Sequence, residues 1–361
     1  IDAGSVPLLF ADLSALYSDP SGGRLEPLRL SFRDYQLAAS QRKESSKYEA
    51  DRRYWMDRLP TFPECGPLLP TRNGLSPHEP PAFQRCKGVL PRIEWAALQQ
   101  LAEQLGLTPT SLLAATFAEV LSKWSQSPHF GIIVTVFNRL PLHPDVHAVV
   151  GDFTVTLLLE CQGKASEEGF EGRAKELQRQ LWQDLDHELF TGTEFQRAIS
   201  AASKADRAAD VPFPVVFTST LGLGHTSFAL HLDAGAMETT AEISQTPQVA
   251  LDFQASEEGG SLIVVWDYVS QWFPEGLVED MHACYMTCLS HMLINHAAGE
   301  DLQKSIVPAR CTELVRQANA TAGPRSDACL HELFLSQSEA TPLAEAVVTQ
   351  DGTRLTYAET R

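Results

Sequence analysis

In the last third of the chain stands Ser244-Gln245-Thr246-Pro247-Gln248-Val249-Ala250-Leu251-Asp252-Phe253-Gln254. From Gln248 the residues alternate as in a strand, with Val249, Leu251 and Phe253 on one face and Gln248, Ala250, Asp252 and Gln254 on the other. A carboxylate is thereby set mid-strand between two amides. By pattern alone this is a half-exposed strand with a polar solvent face. Its company points further. Gly151-Asp152-Phe153-Thr154 and Pro214-Val215-Val216-Phe217-Thr218-Ser219 precede it and Trp266-Asp267 follows, each setting small polar groups beside an apolar strand-like run.

Outward from this stretch, residue pattern predicts alternating strands and helices. Strands are expected near residues 85–90, 129–137, 153–160, 213–218, 237–243, 248–254 and 261–266, and helices over 93–105, 108–124, 167–190, 195–202 and 275–296. Gly106 suits a helix C-cap, and Thr108 with Pro109 suits the N-cap and first position of the next helix. The runs 138–144 and 203–210 read as loops. Near the N-terminus, Asp2 and Ser5 precede an apolar helical pattern over 6–17 with Pro7 in its first turn, a placing that suits capping as well as chemistry. Residues 30–59 read as one long charged helix with an aromatic stripe. The prolines at 60, 63, 67, 70, 77, 80 and 81 then exclude helix or central strand and indicate an extended connector. Helices interspersed with strands indicate an α/β layered fold, with no internal repeat.

The 361 residues, 43% of them hydrophobic, hold material for about two domains or lobes. A formal charge of -18 sets the chain against nucleic acid or an anionic membrane surface as partner. Its seven cysteines include no CxxC pair and suit reduced thiols in a large cytoplasmic protein. No apolar run approaches the roughly 20 residues that span a bilayer, and no charged-then-apolar leader starts the chain. Ile1 reads as the middle of something longer. His143 and His147 have a spacing seen in metal sites, but Pro144 lies between them and no cysteine or carboxylate cluster joins them, so no metal is expected. Gly222-Leu223-Gly224 lacks the strand–helix frame of a phosphate-binding loop and reads as a turn.

Taken together and in order, GDFT followed by leucines, PVVFTS, QTPQVALD and WD resemble the late motifs of the heterocyclization domains of nonribosomal peptide synthetases. These are relatives of condensation domains that make thiazoline and oxazoline rings. The resemblance covers residues 1 to about 310. It implies a chloramphenicol acetyltransferase-like fold of two lobes facing a tunnel, of which this chain holds the end of the N-terminal lobe (1–60), a proline-rich crossing (61–84) and the whole C-terminal lobe (85–310). At the crossing the chain keeps Leu59-Pro60-Thr61-Phe62-Pro63 of the family's LPxxPxLPL pattern and then departs from it. Asp2 and Ser5 match the second half of the family's DxxxxDxxS motif, whose first half lies upstream of Ile1. By the same resemblance, residues 311–325 are a linker and 326–361, with Leu330-His331-Glu332-Leu333-Phe334 and Leu355-Thr356-Tyr357-Ala358-Glu359, look like the opening of an adenylation domain.

The resemblance implies an enzyme. It would condense a carrier-bound acyl or peptidyl thioester with a carrier-bound cysteine, serine or threonine and cyclodehydrate the product. Asp252 and Thr218 match residues the family uses in cyclodehydration. The expected roles are proton shuttling for Asp252 and, for Thr218, positioning Asp252 or the departing water. Gln245, Gln248, Ser219 and Asn138, the last in an Asn-Arg-Leu-Pro loop, are candidates for holding substrate. Asp2, Ser5, Asp152, Thr154, Trp266 and Asp267 read as architectural, with Asp152 and Asp267 holding a turn or an arginine and Asp2 joining the lobes. Expected partners are carrier domains on either side, presenting phosphopantetheine arms, and the adenylation domain that follows. ATP and magnesium would belong to the remainder of that domain, so this chain binds no cofactor of its own. Alone, with half a tunnel and an exposed apolar lobe interface, it is expected to be inactive. An ordinary peptide-bond-forming condensation domain and a silent carrier-docking module remain as alternatives. Neither the acceptor side chain nor the donor is legible.

Overall fold

The structure is a computed structural model and describes residues 1–20, 25–72, 80–162, 169–202, 213–222, 231–232, 235–236, 243, 245–246, 248–295, 308–323 and 328–361. The chain divides into two compact units, Ile1–Pro308 and Ala309–Arg361.

The first unit is built on one mixed sheet. Its strands are β1 (Phe83–Leu90), β2 (His129–Phe137), β3 (Thr154–Gln162), β4 (Val215–Ser219), β7 (Leu251–Glu258) and β8 (Ser261–Val269), and β5 (His231–Leu232) and β6 (Gly235–Ala236) form a separate two-residue ribbon. The spatial order is β1-β8-β7-β4-β2-β3. The central pairs β7·β4 and β4·β2 are parallel and the flanking pairs antiparallel. Apolar residues at alternate positions put Leu251 and Phe253 of β7, Trp266 of β8, Phe217 of β4 and Val134 of β2 into one core. Helices α4 (Arg92–Gln104), α5 (Pro109–Trp124) and α8 (Leu277–Asn295) contribute the other side of that core. At its centre the Phe117 ring of α5 lies 4.8 Å from Phe253 and 5.1 Å from Trp266, edge-on to the indole.

Local chemistry explains the ends of these helices. Gly106 takes φ +70, the left-handed conformation that glycine adopts without penalty, and Leu107 N–H then bonds Ala102 O at 2.8 Å. Thr108 Oγ1 accepts from Ser111 N–H at 3.1 Å, capping α5, with Pro109 in the first turn.

Two expectations are corrected here. The charged segment 30–59 is not one helix but α2 (Phe32–Gln41), a single 3-10 turn and α3 (Ser46–Arg58). Ser45 makes the break, its extended backbone and its hydroxyl, which accepts from Tyr48 N–H at 3.2 Å, starting a new helix. The strand expected from Gln248 begins instead at Leu251. Gln248 is exposed and left-handed, φ +68, and the chain joins the sheet only where Ala250 N–H bonds Pro214 O and Val269 N–H bonds Ala250 O. Most of the strand expected at 237–243 and the loop at 203–210 lie outside the described residues.

On the sheet's other face, α3 and α7 (Gly192–Ala202) build a second core. Trp55, Phe62, Leu158, Phe195 and Phe213 are buried together there. Helix α6 (Gly169–Asp186) closes the edge beside β3. Helix α1 (Val6–Ser18) buries none of its residues, and Leu9, Leu13, Leu16 and Tyr17 stand exposed along it. Among the described residues no single helix is long and apolar enough to cross a membrane.

The second unit has helices Ala309–Ala318 and Leu330–Ala340 and a hairpin of Glu345–Val348 with Arg354–Thr356. The first of these helices occupies part of the segment read as a linker. The hairpin turns at Gly352, φ +84, as the Asp351-Gly352 pair suggests.

Candidate active site

Asp252 is the second residue of β7 and is 8% exposed. Register sets Val216 of β4 on one side of it and Asp267 of β8 on the other. Two carboxylates directly across a ladder repel, and the strands supply the compensation. The Gln254 side-chain amide, two residues along the same face, donates to Asp252 Oδ2 at 2.9 Å and to Asp267 Oδ2 at 3.3 Å. Arg85 of β1, directly across from Asp267, donates from Nε to Oδ1 and from Nη2 to Oδ2, both at 2.7 Å. Asp267 is 1% exposed, so this fork replaces the water the carboxylate lost.

The polar row continues on the same face. Thr218 of β4 lies across from Gln254, not from Asp252, and its hydroxyl is 2.9 Å from that of Thr135 on β2. Five strands thus contribute Arg85, Asp267, Asp252 with Gln254, Thr218 and Thr135 to one polar surface of a sheet whose opposite surface is apolar core. Such a surface offers a carboxylate for proton transfer, an amide and two hydroxyls for holding a carbonyl or water, and a fixed cation at its end.

The other candidates lie elsewhere. Ser219 points from the opposite face of β4, its hydroxyl 3.2 Å from that of Thr110 at the start of α5. Gln245 and Gln248 are exposed in the segment leading to β7, so neither shares the strand face with Asp252. Asn138 follows β2; its N–H donates to Phe153 O at 3.2 Å, its carbonyl accepts from Tyr35 OH at 2.9 Å, and its side chain bonds Glu188, whose carboxyl burial pushes up. Trp266 is wholly enclosed in the core.

Asp152 is exposed and accepts from Thr154 N–H at 3.1 Å, the turn that opens β3. Asp2 is buried and saturated. Its Oδ1 accepts from Ser5 N–H at 2.8 Å, Ser5 Oγ at 2.6 Å and Arg139 at 3.2 Å, and its Oδ2 from Phe153 N–H at 3.2 Å. Gly151 N–H donates to Ser5 Oγ at 3.0 Å, so the pair Asp2–Ser5 ties the N-terminal residues to the loop before β3.

Sequence reasoning missed Gln254, Arg85 and Thr135 as members of the site. Gln254 was legible, sharing the alternating face with Asp252. Thr135 is a lone hydroxyl within an apolar strand. Arg85 has no local signal, being 182 residues from its partner.

A second polar cluster sits at the other end of the sheet. Asp184 of α6, fully buried, accepts from Arg58, from Tyr54 OH at 2.8 Å and from Gln180 at 2.9 Å; Arg58 also pairs with Glu160 at 2.9 Å, and Glu160 with His129 at 2.8 Å. Burial pushes the Asp184 carboxyl up to about 6. No group of three or more metal-binding side chains occurs among the described residues, and His143 caps the short turn after it, Nδ1 accepting from Asp145 N–H at 3.1 Å.

The model of the condensation domain matches residues 1–314. The chain belongs to the condensation-domain family. It is 36% identical over 367 residues to phenyloxazoline synthase MbtB of Mycolicibacterium paratuberculosis, covering 100% of this chain and 30% of that protein. The cyclization-docking bidomain of the nonribosomal peptide synthetase EpoB from Sorangium cellulosum superposes with a TM-score of 0.71 at 37% identity, covering 83% of this chain and 59% of that one. The AMPPNP-bound nonribosomal peptide synthetase FmoA3 gives 0.80 at 35% identity, covering 97% and 36%. The fold is the mixed α/β fold of these synthetase domains. The chain spans about a third or less of the curated relatives it matches.

Proposed function

We propose that this condensation domain is a heterocyclization domain. It joins an acyl or peptidyl thioester to the amine of a carrier-bound cysteine, serine or threonine and then closes a thiazoline or oxazoline ring. Residues 1–60 are the end of its first lobe, 61–84 the crossing, 85–310 the second lobe, 311–325 a linker and 326–361 the start of an adenylation domain. Substrates arrive on phosphopantetheine arms of carrier domains on either side. ATP and magnesium would serve the adenylation domain only. A phenyloxazoline synthase and a cyclization domain among the similar proteins support this reading.

The observation that carries it is the enclosed Asp252 carboxylate, oriented by Gln254 beside the Thr218 and Thr135 hydroxyls. In the first step the amine attacks the thioester carbonyl, the new C–N bond forms and the carrier thiol leaves. In the second the thiol or hydroxyl of the acceptor loses its proton and adds to the new amide carbonyl, whose oxygen becomes a hydroxyl. That hydroxyl then leaves as water, taking one proton, while the nitrogen loses its own and forms C=N. Ring closure therefore moves protons both off and onto the substrate, which a carboxylate sheltered from bulk water performs without exchange with solvent. Thr218 holds the departing oxygen.

The test uses the intact module with loaded donor and cysteinyl carriers, comparing wild type with Asp252→Ala by intact-carrier mass. The variant is expected to accumulate linear product, one water heavier than the ring. Normal loss of water by the variant would refute the assignment, and a wild type that yields only linear product would make the domain an ordinary condensation domain.

A further inference from the structure

The carboxylate pair at the centre of the sheet is costly unless something beyond it fixes its charge. Asp252 and Asp267 stand directly across the β7·β8 ladder, and both are buried. Their shared donor is one amide nitrogen, which has two hydrogens and so satisfies one oxygen of each. That arrangement requires Gln254 to present nitrogen, not oxygen, to both acids. The Arg85 fork sets this choice. It holds Asp267 in one orientation by two 2.7 Å bonds, with both carboxylate oxygens acting as acceptors, so that Asp267 takes an amide nitrogen and repels an amide oxygen.

We propose that Arg85 and Asp267 are positioning residues for Asp252: clamped by the arginine, Asp267 orients the Gln254 amide, which in turn holds the Asp252 carboxylate in one rotamer beside a fixed ion pair. This rests on the heterocyclization reading above. Neither Arg85 nor Asp267 belongs to the reacting group; their influence passes through Gln254 and through charge. On this face of the sheet the described charged groups nearest Asp252 are Asp267 on β8 and Arg85 and Lys87 on β1. The adjoining positions of β4 and β2 are the neutral Val216, Thr218, Ile133 and Thr135. Among the described charged groups, the pair across the ladder is therefore the one that bears on Asp252. Removing the cation alone leaves Asp267 as a like charge and raises the proton affinity of Asp252, whereas neutralising Asp267 lowers it.

The experiment compares Arg85→Met, Arg85→Lys and Asp267→Asn in the intact module, following linear product and ring separately in single turnovers across pH. Arg85→Met is expected to slow ring closure about tenfold more than it slows condensation near neutral pH, with the acid limb of the ring-closure profile moved to higher pH. Asp267→Asn moves that limb to lower pH. Arg85→Lys, which keeps the charge without the fork, leaves the limb near its wild-type place. Combining Arg85→Met with Gln254→Leu costs less than the product of the two single effects, because both break one chain of contacts. Limbs that do not move, or that move in the same direction in Arg85→Met and Asp267→Asn, overturn the proposal. So does a fall of condensation and ring closure in step with the folded fraction, the mark of a purely structural salt bridge. Asp252→Ala, run alongside, separates the two readings: wild-type ring closure by that variant ends both, whereas its failure with unmoved limbs in the others ends only this one.

Discussion

Replacing Asp184 by Asn should flatten the pH dependence of stability of the first unit between about pH 4 and pH 6. Burial pushes the Asp184 carboxyl from 3.8 up to about 6, outweighing the opposing pull of Arg58, Tyr54 and Gln180. The folded state therefore holds a proton there that the unfolded chain releases. Folding takes up that proton inside this window, and the free energy of unfolding falls as pH rises through it. A rise from 3.8 to about 6 corresponds to roughly 3 kcal/mol, fully present below pH 4 and gone above pH 6. Glu160 works in the other direction and in another window. Burial alone would raise it, but hydrogen bonds from Arg58, His129 and Gln162 leave it below its usual 4.5, so its contribution is lost only as pH falls below that value. Urea unfolding at half-unit steps from about pH 4 to about pH 6.5, followed by tryptophan fluorescence, reads the slope. Trp55 is a local reporter, since the Arg58 guanidinium lies 5.0 Å from its ring. The slope matters more than the level, because the asparagine amide brings donors of its own into the cluster. A wild type whose stability is flat over this range, or an Asn variant that keeps the wild-type slope, would show that Asp184 is ionised in the folded protein and would refute the reasoning.

Other variants probe the site and its supports. Thr218→Val keeps the shape and removes the hydroxyl that meets Thr135; ring closure should fall roughly fivefold to tenfold with condensation unchanged, the worth of about one hydrogen bond, measured as the ratio of ring to linear product. Trp55→Ala empties the centre of the aromatic cluster on the α3 face and should cost about 3–5 kcal/mol in urea unfolding. Asp2→Ala strands the partly buried Arg139 guanidinium and should cost about 3 kcal/mol, read the same way. Gly192→Ala sets a Cβ 2.8 Å from Thr156 O and 3.0 Å from the Leu157 backbone, neither of which yields easily, and should lower the thermal midpoint by an amount equivalent to about 1–3 kcal/mol.

Elements with their own punctuation were the legible ones. Gly106, Thr108 and Pro109 mark a helix end and a helix start within four residues, and strand β2 announces itself by an unbroken apolar and β-branched run. Where the deciding contact was not local, pattern failed. Ser45 was one serine among several until its hydroxyl was seen to cap Tyr48. Alternation ran on upstream of the true start of β7 because the residue at which the chain joins the sheet, Ala250, is fixed by backbone bonds to the distant Pro214 and Val269 and carries no local signal. Gln248 followed the alternation in letters but took a left-handed backbone that no strand allows.

The same distinction separates three aspartates that composition makes equivalent. Asp2 accepts from a backbone N–H three residues on, a serine hydroxyl and Arg139, with its second oxygen on Phe153 N–H. A carboxylate so furnished with donors on both oxygens is held in place and makes a joint. Asp267 is gripped by a guanidinium fork, which fixes its orientation. Asp252 takes from Gln254 a neutral amide, a weaker donor, in a site almost closed to water. Of the three, it stands on the strand next to the Thr218 and Thr135 hydroxyls, and a proton shuttle must stand beside the groups that hold its substrate. The motif letters placed Asp252 first by resemblance. The reason for that rank lies in neighbours drawn from β4 and β2, which only the folded sheet brings to it.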